Sequence, residues 1–442
     1  MKENPSKIAI LHHTGGGNLG DDAIIDVVIS NIRRRQPGVD IIVFSMNPDD
    51  TARRHGVTAF PLRRHRWSIG YQSPKDPEAA SSESHRAVRG ARNPLLRIPR
   101  SLLVELRFLV QSYRRLKTCE RLVVSGGGQL TERAGPWSFP YALFIWTLLA
   151  KIAGVRCLFL NVGAGPLNHP ISRFFAKRAL LVADYVSFRD QQSQTLAVNI
   201  GFHRQSYVFP DNVFSLALET PANPTSLQSP VVGIAPMPFP FCDLLTLPDD
   251  PQGIQDEFIE KLGSFSSRVA EHSYKIQLFG SDVGSDPKEI EHLRTVLESR
   301  YTISLPAYES VSSVDELLAR IAGMDYVVTC RFHGVVFALL LNKPVLAISH
   351  HPKVAELMRS LGLSRYCVDM QNFDSEILFE KFLSLVKNSD SVRQRISASV
   401  TQFRSQLVAQ FNDLFPPSDR TAMVPGVTPF QTEEVVVGQE LQ

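Results

Sequence analysis

The amino-acid sequence predicts an α/β chain built from two Rossmann-like, doubly wound parallel-sheet domains that face each other across a cleft. Three observations carry the expectation. Short β-rich apolar runs alternate with longer stretches of helical period. The alternation restarts after a proline-bearing break near residue 220, and glycine-rich or charged loops fall just after several of the apolar runs. A chain of 442 residues is long enough for both halves, since domains of roughly 100–200 residues are usual.

In the first half the expected strands are Lys7–Leu11, Asp40–Phe44, Arg121–Ser125, Arg156–Val162, Tyr185–Arg189 and Ser206–Phe209. Asp22–Arg34 reads as a helix, with Ile25, Val28, Ile29 and Ile32 along one face. Glu219–Ser229 reads as the linker, so the expected domains are 1–222 and 230–415, the second including terminal helices. Second-half strands are expected at Val231–Ala235, Lys275–Phe279, Thr302–Leu305, Tyr326–Thr329 and Val345–Ile348. Helical patterns lie at Gly253–Glu271, Pro287–Arg300 and Ser313–Ile321, the last opened by a capping pair, Ser313 with Glu316. Two segments stand outside this winding. Residues 63–117 carry 13 basic and 4 acidic residues, and 416–442 form a Pro-, Val- and Thr-rich flexible tail.

Lys and Arg number 47 against 44 Asp and Glu, so global charge points to no nucleic-acid partner. Five scattered cysteines without a Cys-x-x-Cys pair fit neither a zinc knuckle nor a disulfide framework and suit a reducing compartment. No apolar run reaches the roughly 20 residues that cross a bilayer, which makes a cytoplasmic location the expectation. The basic insertion is the one segment suited to peripheral contact with anionic lipid at the inner face of the plasma membrane.

In open parallel sheets ligands bind beyond the carboxyl ends of the strands, so the loops there carry the candidate chemistry. The first loop contains Gly15, Gly17 and Gly20 in a formal dinucleotide spacing, but Asp21 and Asp22 put negative charge where a pyrophosphate would sit. Asn18, Asp21 and Asp22 instead suit a polar, hydroxyl-bearing ligand, unless an aspartate merely caps the helix. Ser125-Gly126-Gly127-Gly128-Gln129 and Asn161-Val162-Gly163-Ala164-Gly165 follow two more strands, and Arg189-Asp190 ends another. The strongest cluster is Cys330-Arg331-Phe332-His333-Gly334, followed by the apolar helical run Val335–Leu341. Arg331 and His333, two positions apart on one side of an extended loop at a helix start, combine a guanidinium, helix amides and a titratable imidazole, which is an anion site with a proton donor attached. His350, His351 and Lys353 follow the next strand.

Together GGGNLGDDA, VVSGGGQL, NVGAGPL, SFRD with Ser193, FPDNVFSL and CRFHGVVFALLLNKPVLAISHHPKV resemble the polysaccharide pyruvyl transferase family, over about Ile8–Val354. The resemblance implies a GT-B-like fold and transfer of pyruvate from phosphoenolpyruvate, as co-substrate rather than cofactor, onto sugar hydroxyls of a polysaccharide or its polyprenyl-linked precursor. His333, exchanging the proton, Arg331, and Asp21, orienting or deprotonating the acceptor hydroxyl unless Asp22 does so, are then the catalytic candidates, and Arg331, Gly334, Lys353 and Arg189 the donor contacts. Acceptor contacts would be Asn18, Asp21, Asp22, Gly127, Gly128 and Gln129. No metal is demanded, because no compact His and carboxylate cluster has ligand spacing. The alternatives are a nucleotide-sugar glycosyltransferase on the same frame and an inactive glycan-binding relative.

Overall fold

Seven parallel strands form the first sheet: β1 (Lys7–Leu11), β2 (Asp40–Ser45), β3 (Thr58–Pro61), β4 (Arg121–Ser125), β5 (Arg156–Val162), β6 (Tyr185–Phe188) and β7 (Tyr207–Val208). Their order is β3-β2-β1-β4-β5-β6-β7. Between them run α1 (Leu19–Arg35), α2 (Pro48–His55), α3 (Pro94–Leu116), α4 (Phe139–Ala153), α5 (Pro170–Val182) and α6 (Gln191–Asn199). The second sheet has five parallel strands, β8 (Val231–Ala235), β9 (Lys275–Leu278), β10 (Tyr326–Thr329), β11 (Val345–Ser349) and β12 (Cys367–Asp369), ordered β12-β11-β10-β8-β9. Its helices are α7 (Pro251–Glu271), α8 (Asp286–Tyr301), α9 (Val314–Ala322), α10 (Phe332–Leu340), α11 (Pro352–Ser360), α12 (Ser375–Lys387) and α13 (Ser389–Leu414). This computed structural model describes residues 6–64, 94–132, 135–218, 229–239, 250–372 and 374–416. Most of the expected linker, residues 65–93 of the basic segment and the tail beyond 416 lie outside them.

The winding follows from strand periodicity. In β1, Ala9 and Leu11 join the core beneath α3, α4 and α5, while Ile8 and Ile10 join the core beneath α1. Each buried leucine or isoleucine among them contributes about 1.5–3 kcal/mol. In each sheet the strand order reverses, between β1 and β4 and between β8 and β10, and such switch points open a crevice at the carboxyl ends of the strands. The two crevices face one another.

Three expectations are corrected. Thr302–Leu305 is not a strand: Thr302 is the left-handed cap of α8, with φ 57°, and Ile303 donates back to Leu297 O. β12 takes its place in the second sheet and β3 adds a seventh strand to the first; TAFP and CVD are too short to show alternation. The last helix also serves both halves. Val392, Ile396 and Val400 of α13 pack in the second core, whereas Phe411 packs in the first. Gln410 there joins a buried polar cluster with Asn161, Ser187 and the Tyr185 hydroxyl.

Candidate active site

Asn18 begins the site by capping α1: its Oδ1 accepts from Gly20 N at 2.9 Å. It, not an aspartate, is the cap, which leaves Asp21 and Asp22 in the first turn. The two carboxylates then part. Asp22 is buried, accepts from Thr14 Oγ1 at 2.5 Å and lies 3.8 Å from Arg54, so its side chain is engaged within the first domain. Asp21 sits among Lys353, Arg189 and Asp282. Burial, then the neighbouring Asp22, push its carboxyl up to about 7 despite the pull of Lys353 and Arg189.

The second domain closes on this turn. Leu19 N donates to Ser281 O at 3.1 Å and Val283 N donates to Gly17 O at 2.9 Å, a two-bond backbone clasp between the halves. His333 completes it: a Cβ on Gly20 would stand 1.9 Å from His333 Nδ1, so only glycine lets the imidazole rest on the first turn of α1. His333 is buried and its Nε2 has no hydrogen-bond partner among the described residues. Burial first, then Arg189 and Lys353, hold its ring well below the usual histidine range, so it is neutral at pH 7.

Arg331 and His333 do not share a side, contrary to the expectation of an extended loop. Helix α10 starts at Phe332, three residues earlier than expected, and the two side chains diverge at that start. Arg331 points at α8: its Nε and Nη2 donate to Asp286 Oδ1 at 3.0 and 2.5 Å, and Nη2 also donates to Ser285 Oγ at 2.5 Å. Asp286 also accepts from Ser281 N and Asp282 N. The pair therefore braces the loop that clasps the glycine turn, and among the described residues only Nη1 of Arg331 lacks a protein partner.

The cation that does lie at the interface is Arg189. Its guanidinium rests against Gly163, where a Cβ would come 2.6 Å from Nε, and lies 4.4 Å above the Phe332 ring of the other domain. Asp211 and Asp190 stand 3.4 and 3.5 Å away. Lys353 Nζ lies 5.8 Å from the same ring. Asp190 itself caps α6, accepting from Ser193 N, while Ser193 Oγ accepts from Ala164 N and steadies the third glycine loop.

Gly127 faces both Asp21 and His12, and Gly128 borders open space. Other expected contacts turn inward. Gln129 is buried and donates to Ser125 O, and Gly334 packs against Thr329. The neighbouring histidines have structural partners: His350 Nδ1 bonds Cys330 O, and His351 caps α11. One residue sequence reasoning missed is His12. It is fully buried, with neither ring nitrogen bonded among the described residues, and burial pushes it down to about 3. In the sequence His12 is one of a histidine pair before a glycine loop and nothing local sets it apart; its orphaned nitrogens appear only in three dimensions. Beside this cluster, α6 and α11 border a cavity of about 360 Å³ lined by Gln192, Ser349, Glu356 and Asp369.

The family model for polysaccharide pyruvyl transferase matches residues 18–352. The chain belongs to that family. The amylovoran biosynthesis protein AmsJ of Erwinia amylovora is 19% identical over 432 residues, covering 90% of this chain and 96% of that protein. Among solved structures, a UDP-N-acetylglucosamine 2-epimerase from Listeria monocytogenes matches with a TM-score of 0.56 at 12% identity, over 94% of this chain and 98% of that one. Anabaena Alr3699/HepE in complex with UDP matches at 0.55 and 14% identity, over 92% and 98%. These likenesses are of fold, two GT-B-like parallel-sheet domains.

Proposed function

We propose that this pyruvyl transferase moves pyruvate from phosphoenolpyruvate onto two hydroxyls of one sugar in an exopolysaccharide or its lipid-linked precursor, forming a ketal and releasing phosphate. The observation that carries the reading is the meeting of His333 with Gly20, next to Asp21, and of Arg189 with Phe332 near Lys353. A small anion bearing a carboxylate and a phosphate needs cations from more than one element, and a two-hydroxyl acceptor needs proton carriers on the other side. Arg189, Lys353 and the Nη1 edge of Arg331 supply the first; the cavity between α6 and α11 is the acceptor's route.

The proton balance assigns the roles. Two hydroxyls each lose a proton; carbon 3 of the donor gains one and the departing phosphate takes the other. Asp21, whose carboxyl near 7 holds its proton in about half the molecules at neutral pH, gives it to carbon 3. The first hydroxyl then attacks carbon 2 and yields its proton to His12. The bond from carbon 2 to the phosphate oxygen breaks with its electron pair on oxygen, and His12 returns the proton there. The second hydroxyl closes the ketal and gives its proton to neutral His333 at Nε2, and the ring relays a proton to Asp21, restoring the charge of every group. This reverses the roles expected for His333 and Asp21, because burial keeps the imidazole neutral and lifts the carboxyl to about 7.

The test is incubation with phosphoenolpyruvate and a panel of free and lipid-linked saccharides, following product mass and released phosphate. His333→Ala is expected to lose at least about 100-fold in phosphate release while remaining folded, and near-normal turnover would remove its role. The competing reading, nucleotide-sugar glycosyl transfer, draws on the fold shared with UDP-bound HepE. A thermal shift with UDP-sugars and none with phosphoenolpyruvate would favour it.

A further inference from the structure

The helices on one face of the first sheet carry apolar side chains on the wrong side. In α3, Phe108 and Leu116 turn inward, Phe108 packing edge-on against Trp146. Yet Leu103, Leu106 and Val110, spaced i, i+3 and i+7 on the opposite side, are 65%, 55% and 40% exposed. A helix whose outward stripe is leucine and valine gains nothing from water.

The pattern continues across the layer. Helix α4 packs between α3 and α5, and at its start Trp137 is 60% exposed, stacked edge-on against Phe175 of α5. On α5, Phe174 is 48% exposed beneath the Arg178 guanidinium, 5.3 Å away. Helices start where the parallel strands end, so Trp137 and the first turn of α5 stand at the cleft edge of this layer.

The charge of the same helices is one-sided. Pro94–Leu116 contains Arg97, Arg100, Arg107, Arg114 and Arg115 against Glu105 alone. Pro170–Val182 contains Arg173, Lys177 and Arg178 and no acidic residue. Outward leucines beside arginines, with a tryptophan and a phenylalanine at one rim, are the composition of a face that lies in the headgroup layer of a bilayer. No described helix is long and apolar enough to cross a membrane, so contact would be from the side.

We infer that the α3–α4–α5 face docks on an anionic lipid surface, with the cleft edge of the layer against the bilayer. The apolar stripe enters the acyl boundary, and the exposed arginines Arg107 and Arg114 hold the phosphates. This contact is independent of the reaction performed in the cleft.

The test is co-sedimentation of the full chain with vesicles of phosphatidylcholine alone and of phosphatidylcholine mixed with phosphatidylglycerol. Binding is expected to the mixed vesicles only, weakening with salt. Leu103→Ser with Leu106→Ser, and separately Trp137→Ala with Phe174→Ala, should each lower the bound fraction about ten-fold or more at unchanged melting temperature. Arg107→Gln with Arg114→Gln should lower it on mixed vesicles by a similar factor. Equal binding to both vesicle types, no binding to either, or insensitivity to all three variants would overturn the inference. So would light scattering that finds a dimer dissolved by the Leu103 and Leu106 changes, since the face would then belong to a second copy.

Discussion

Arg189 and Arg331 both follow the last residues of a parallel strand, one in each sheet, and both have a carboxylate at hand, yet they are used differently. Arg331 turns two nitrogens onto Asp286 Oδ1, at 3.0 and 2.5 Å. Arg189 has its nearest carboxylate oxygens at 3.4 and 3.5 Å, keeps a buried Nε without a hydrogen bond among the described residues, and stacks on a ring from the opposite domain. The first arginine is fastened to its own domain and braces a loop; the second spans the gap. Where an arginine falls relative to a strand does not decide between these uses. The carboxylate that the fold brings to it does.

The comparison breaks most readily in stability. Arg331→Ala should cost about 3–5 kcal/mol, because it leaves Asp286 buried and without its two short bonds, and thermal melts should show a smaller loss for Arg189→Met, which removes one long 3.4 Å bond to buried Asp211. Equal losses would mean the two arginines are equivalent clamps. In binding the order should invert: Arg189→Met is expected to weaken phosphoenolpyruvate by about ten- to a hundred-fold in calorimetry, and Arg331→Lys, which keeps its charge, by less.

Gly20→Ala sharpens the same contrast from the other side of the cleft. A methyl 1.9 Å from the His333 ring forces the interface apart, at a cost of about 1–3 kcal/mol, and should reduce phosphate release more than it lowers the melting temperature. Asp21→Asn addresses the shared charge. A carboxyl lifted to about 7 keeps a proton in the folded state that the unfolded chain releases, so wild type loses stability from this group as pH rises from about 4 to about 7. The melting-temperature difference, variant minus wild type, should therefore grow across that window; a flat difference would mean Asp21 titrates normally. The smallest effect expected is Asn18→Ala, about 1 kcal/mol for the lost cap, read by chemical denaturation.

Much of this was legible in the linear chain. The alternating apolar runs locate ten of the twelve described strands, and the glycine loops and the Arg331 to Gly334 segment lie at strand ends, as expected. What failed did so for identifiable reasons. Thr302–Leu305 has strand composition but begins on a left-handed cap, and β12 has three residues, too few for any period. Asp286 sits 45 residues from Arg331 in a segment with no motif, so nothing local announces their pairing. His12 reads as an ordinary histidine until its surroundings are assembled.

Periodicity, turn chemistry and helix starts depend on neighbours a few residues away, so the amino-acid order alone determined the two wound halves, their glycine turns and the family to which they belong. Which arginine grips a protein carboxylate, which aspartate keeps its proton, and which imidazole is left without a partner depend on side chains far apart in the chain. Only packing one domain against the other, at the distance that Gly20 permits to His333, decides them.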